Sequence, residues 1–172
     1  SAARFSLCSF ERSDCSKIDL TMAQVKKSSF QDVILKDAEM TRAFFSQVSF
    51  VNCIASGMLS SYSTFKKCIF KNAFLGQSSF NYSEFYNCSF AFASFADSTV
   101  SGARFDSCDF TETNFNKTCF IGVTFKDSKN LNVDSFIEAR FINPVFEGTD
   151  ESFERALKEK GIEVRRTDAG ES

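Results

Sequence analysis

Cys68, Cys88 and Cys108 recur at intervals of twenty residues. Thiols in such a series could do two things: pair as disulfides, or present soft ligands to a metal. Either requires a fold that brings them together. The chain has no His, which removes the usual general base, the Ser–His and Cys–His nucleophile pairs and most zinc sites. Its seven Gly are scattered and form no phosphate-cradling loop. No enzymatic activity is therefore expected, and no catalytic, cofactor-binding or metal-binding residue is assigned. Asn81-Tyr82-Ser83, Asn87-Cys88-Ser89 and Asn116-Lys117-Thr118 fit the glycan acceptor pattern, but Asn suits corners, and Ser or Thr follows it by construction in the repeat described next.

The elements that must position these residues follow from one period. Of the twenty-five positions counted in fives from Phe5 to Phe125, sixteen are Phe. Neither a helix nor a simple strand has that period, so the chain is a repeat. Two residues before each of these positions, twenty-three of twenty-five residues are Ala, Cys, Ser, Thr or Val, the exceptions being Ile18 and Met58. In extended chain, residues two apart point to one side. The small and the large residue therefore face a common interior, and the three remaining residues face water and turn the corner. By this rule Cys8, Cys53, Cys68, Cys88 and Cys108 occupy the small inward slot, Cys15 the large one, and only Cys119 points outward. Cys then serves as a small buried hydrophobe, interchangeable with Ala or Ser. The odd number of Cys and the absence of a paired pattern point to a reducing compartment.

Units such as Ala103-Arg104-Phe105-Asp106-Ser107 and Cys108-Asp109-Phe110-Thr111-Glu112 resemble the pentapeptide-repeat family over about Ala3 to Phe146. The resemblance implies an all-β fold: a right-handed quadrilateral parallel β-helix with four units per coil. Residues twenty apart should then stack, and Phe10, Phe30, Phe50, Phe70, Phe90 and Phe110 indeed form an unbroken series. About seven coils at the spacing of β-strands give a rod of roughly 35 Å. Cys68, Cys88 and Cys108 fall in one column, with Cα atoms about 4.8 Å apart, inside disulfide range.

The solenoid is assigned to residues 1–148. The phase of five breaks near 128–132 and resumes one residue later at Leu131, Phe136, Phe141 and Phe146. Met58-Leu59-Ser60, with its large residue one place early, is expected to bulge. Residues 149–161 read as a capping helix: Thr149 or Asp150 as N-cap, Phe153, Ala156 and Leu157 as one apolar stripe, and Gly161 after the end. Residues 162–172 are assigned to a short extension and a disordered tail. Ser1-Ala2-Ala3-Arg4-Phe5 is already in register, so the chain is expected to be part of a longer protein. No apolar run reaches eighteen residues, so no transmembrane segment is expected.

Outward positions are the free variables of the repeat. Ile34, Ile54 and Phe74 form one apolar column, Tyr62 and Tyr82 stack on a corner, and Phe92 sits on another. Lys26-Lys27 and Lys66-Lys67 share a corner with Gln47 between them, and Lys71 lies one corner along. These residues make up the candidate interaction surface. The leading reading is a non-catalytic protein–protein interaction scaffold, a module of a larger or secreted bacterial effector acting in bacterial or host cytoplasm. The resemblance supports it, because such domains occur in bacterial effectors, including HECT-like ubiquitin ligases. The alternative is a DNA-mimicking gyrase-binding protein of the quinolone-resistance type. Against that alternative, residues 1–146 carry fifteen Lys and Arg and fourteen Asp and Glu, whereas a duplex-like surface is strongly negative. Direct nucleic-acid binding is disfavoured at a net charge of −2 with no basic groove interleaved with aromatics. Another protein is the expected partner, with self-association a further option.

Overall fold

Each five-residue unit forms a short extended segment followed by a corner, and successive units wrap the chain into a four-sided coil. The computed structural model describes residues 3–149 and 152–167. Face one is an eight-stranded parallel sheet running from Arg4–Ser6 to Val145–Glu147. Its strands pair at an interval of twenty, as in Phe45↔Phe65 and Phe65↔Phe85. Face two begins with the paired strands Ser9–Glu11 and Ser29–Gln31 and continues as single bridges. Face three is held by single bridges from Asp14 to Asn114. Face four ends in a four-stranded sheet that includes Thr99–Ser101 and the final strand Glu163–Arg165. The faces follow one another around the coil, so face three lies opposite face one.

The interior is a stack of rings. Phe10 and Phe30 stack at 4.8 Å between centroids, Phe50 and Phe70 at 4.9 Å, and Phe70 and Phe90 at 5.0 Å. Neighbouring faces meet edge to face, as Phe65 and Phe70 do at 5.6 Å and 68°. Offset and edge-on geometries suit the ring quadrupole, and burying each Phe contributes about 1.5–3 kcal/mol. The corners carry a cost. The last residue of nearly every unit has positive φ, including Asn52, Asn72, Asn87 and Asp97. Asn and Asp tolerate this region better than other non-glycine residues.

Met58-Leu59-Ser60 does not bulge. Leu59 bridges Glu39 and Ser79 at the regular interval of twenty. Met58 is buried in the small slot and Ser60 in the large one, while Leu59 points outward. A long flexible side chain in the small slot beside a short one in the large slot leaves the backbone in register.

The added residue falls between Lys129 and Leu131, where Asn130 is exposed with φ 61° and Leu131 packs against the core. Lys129 still bridges Asp109 at an interval of twenty, whereas Phe115 stacks on Phe136 and Phe120 on Phe141, both at twenty-one. A 3-10 turn, Val133–Phe136, follows, and the Asn132 side chain accepts the Asp134 N–H at 3.0 Å. Helix α1 runs Ser152–Glu159. The N-cap candidate Asp150 lies outside the described residues, as does the step from Thr149 to Ser152. Phe153 packs edge-on against Phe136 and Phe146, at 5.9 and 5.3 Å, and Leu157 is fully buried. Glu163–Arg165 then pairs with Arg140–Ile142. Thr167 belongs to this ordered end: its N–H donates to Asn143 Oδ1 at 2.7 Å, and Arg166 donates to the Pro144 carbonyl at 2.6 Å. Residues 168–172, the rest of the expected tail, lie outside the described residues.

Candidate functional site

Outward positions on adjacent coils come into line, so the apolar residues of face three form a true column. Ile34, Ile54 and Phe74 bridge one another in sequence, flanked by Asp14 below and Ser94 above. Ile54 and Phe74 are 49% and 46% exposed, and Ile34 is half-buried. Leu59, exposed on face four of the same coil as Ile54, widens the patch around a corner. That corner is Ser56-Gly57. Gly57 has φ +73°, and a Cβ there would collide with the Asp37 carboxylate.

Tyr62 and Tyr82 stack at 5.1 Å and 11° on the corner between faces four and one. Both are more than half exposed, at 58% and 54%. Both have left-handed backbones, with φ of 59° and 57°, as does Phe92 at 60°. A left-handed conformation costs an L-residue with a bulky side chain about 1–2 kcal/mol. Phe92 also ends a ladder. Asn52 donates to Asp32 at 2.8 Å and Asn72 to Asn52 at 2.9 Å, and Phe92 holds the next rung. Aromatic residues therefore stand at corners where Asn or Gly fits better.

Lys26, Lys27, Lys66 and Lys67 are exposed along the edge of face one. Two rings lie beside Lys26 and Lys66. Lys26 Nζ lies 6.0 Å from the centroid of Phe44, and Lys66 Nζ lies 5.8 Å from Phe44 and 5.5 Å from Tyr86. These are cation–π distances. Burial, with the Glu84 carboxylate nearby, raises the Tyr86 hydroxyl pKa. Phe44 and Tyr86 were not among the residues singled out from the sequence. The signal for Phe44 was present: it precedes Phe45 and so occupies the outward position of its unit. The apolar column, the tyrosine pair, Phe92 and the lysines lie on different faces and corners and do not converge on one site.

The thiol column is structural in its contacts. Cys68, Cys88 and Cys108 direct Sγ to the carbonyls of Phe45, Phe65 and Phe85 at 3.7, 3.4 and 3.5 Å. Ser98, Thr113 and Thr118 make the same contact from the same slot, to Leu75, Phe90 and Phe95 at 3.0, 2.9 and 2.9 Å. Ser78 does more, accepting the Met58 N–H at 3.0 Å while donating to the Ala55 carbonyl at 3.1 Å. Where the small slot holds Cys, Ser or Thr at these positions, its side chain therefore donates between coils. All seven Cys are free. Burial pushes the Cys53 thiol up to about 11. Cys68 is raised by its hydrogen-bonding neighbour Cys88 and by burial, and Cys88 chiefly by burial. Cys119 is half-buried at an outward position, its Sγ 4.0 Å from Arg140 Nη2.

Residues 88–127 match the family model for pentapeptide repeats in eight copies. A trypsin-treated form of QnrB1, a plasmid-mediated fluoroquinolone resistance protein, superimposes with a TM-score of 0.57 at 16% identity, covering 95% of this chain and 100% of that one. Full-length QnrB1 does so with a TM-score of 0.52 at 14% identity, covering 92% and 99%. No curated protein matches the chain. At these identities the likeness establishes the fold alone. Residues 88–127 thus carry pentapeptide repeats, and the chain as a whole has the fold of the QnrB1 solenoid. No helix among the described residues is long and apolar enough to cross a membrane.

Proposed function

We propose that this chain is a non-catalytic protein–protein interaction scaffold, a module of a larger or secreted bacterial protein working in a reducing compartment. The observation that carries this reading is the exposed column of face three. A regular solenoid needs only its inward residues to fold, so Ile54, Phe74 and Leu59 on the outside are not explained by the core. A flat face bearing aligned apolar residues suits another protein. The odd number of Cys without a paired pattern, and the carbonyl contacts of Cys68, Cys88 and Cys108, support the compartment.

The test places a photo-crosslinking amino acid at position 54 in the native host and repeats the capture with Phe74→Asp. A discrete adduct that Phe74→Asp abolishes is expected, with the circular dichroism of the variant unchanged. An adduct indifferent to Phe74 would refute the stripe. Sedimentation of the wild type and Ile54→Asp distinguishes a second copy from a different partner. The topoisomerase alternative has its own assay: protection of gyrase supercoiling from a quinolone would replace this reading.

A further inference from the structure

Face one differs in charge from the rest of the rod. Across its first five levels and the corner that follows stand Arg4, Lys26, Lys27, Lys66 and Lys67, against the single acid Glu84. None of the five cations makes an ion pair among the described residues, although six ion pairs form elsewhere on the chain. The Phe44 ring lies between Lys26 and Lys66, within 6.0 and 5.8 Å of their ammonium groups, and Tyr86 takes the far side of Lys66 at 5.5 Å. Free lysines on a surface sample many rotamers. Contact with a ring restricts them, so less freedom is lost when they meet an anion.

We infer that this lysine–aromatic ladder on face one is a docking surface for an acidic segment of a partner protein. The inference rests on the scaffold reading but uses the side of the rod opposite the apolar column. Charge complementarity names the partner as an anion, and two features favour protein over nucleic acid. The ladder lies on a flat sheet rather than in a groove, and the Phe44 ring has an ammonium group from each of two lysines beside it instead of being open for base stacking. The lysine rows at 26 and 66 are two coils apart, about 9.6 Å. Carboxylates seven residues apart on a helix are separated by about 10.5 Å, so one acidic helix lying along the rod can meet both rows.

The experiment uses the whole chain and a fluorescein-labelled helical peptide of about twenty residues with Glu seven apart, read by anisotropy at low salt. Lys26→Gln with Lys66→Gln should weaken binding about tenfold. Phe44→Leu, which keeps every charge, should also weaken it. Lys17→Gln with Lys36→Gln, the same change in net charge elsewhere, should not, and neither should Ile54→Asp with Phe74→Asp. Equal loss in the Lys17 and Lys36 variant, no loss in Phe44→Leu, or tighter binding of a single-stranded oligonucleotide or of phosphatidylserine vesicles would each overturn the assignment. Loss in the Ile54 and Phe74 variant would do the same. The scaffold reading fails separately, through the crosslinking at position 54.

Discussion

The Cys88 thiol donates across the coil to the Phe65 carbonyl, 3.4 Å away, and Cys108 repeats the contact one coil on to Phe85 at 3.5 Å. The thiol therefore acts as a weak hydrogen-bond donor. Cys88→Ser should be close to neutral, since Ser98 makes the same contact in its own slot at 3.0 Å. Cys88→Ala should cost about 1–2 kcal/mol from the lost donor and the small void. Urea denaturation midpoints at constant m-value measure both.

The seven thiols should divide by burial. Cys53, Cys68, Cys88 and Cys108 are buried, whereas Cys8, Cys15 and Cys119 are partly open. Burial raises the pKa of Cys53, and burial raises that of Cys15 too, more mildly. Mass spectrometry after alkylation near pH 8 should find Cys8 and Cys119 modified first. The four buried thiols should react only as the chain unfolds in urea, and rapid native labelling of Cys88 would contradict the packing described.

Ser60 Oγ is the one buried side-chain polar atom among the described residues without a hydrogen-bond partner. A hydroxyl buried unpaired costs about 1–3 kcal/mol. Ser60→Ala should therefore raise the thermal midpoint, by an amount corresponding to about 1 kcal/mol in calorimetry. A drop would show that water or another group satisfies the hydroxyl.

Phe92 occupies a left-handed corner above the Asp32–Asn52–Asn72 ladder. Phe92→Asn should relieve the backbone and add a rung, stabilising the rod by about 0.5–1.5 kcal/mol. If Phe92 serves recognition, the same variant should be more stable and bind its partner less well.

Glu154 has its carboxyl pKa lowered by a hydrogen bond from Lys158 and by Arg166, at 3.0 and 2.6 Å. A folded-state value below the unfolded one stabilises the fold above the ordinary Glu range, and this is lost as pH falls through the folded value. The gap in thermal midpoint between wild type and Glu154→Gln should thus be widest near neutrality and close below about pH 4. A gap that persists at lower pH would assign the effect to packing.

The solenoid was legible because its period of five is unlike that of a helix or a strand, and each inward Phe reports its own position. The bulge expected at Met58-Leu59-Ser60 failed because side-chain volume, not residue order, decides whether a unit stays in register. Helix α1 was readable from Phe153, Ala156 and Leu157, but not the strand beyond it, since Glu163-Val164-Arg165 gains its identity only by pairing with Arg140–Ile142. The apolar column followed from spacing. The ladder through Phe44 and Tyr86 did not, because a cation over a ring joins residues of different coils, and neither segment alone shows it.

The added residue between Lys129 and Leu131 has a wider meaning. The short irregular stretch around Asn130 absorbs it, and the ring stacks resume as if nothing had been inserted. The rod therefore tolerates added length at this level. A guest segment spliced at Asn130, with its ends close together, would be displayed outside while the columns on either side stay aligned. New surface could be acquired there in a single step, without redesign of the interior.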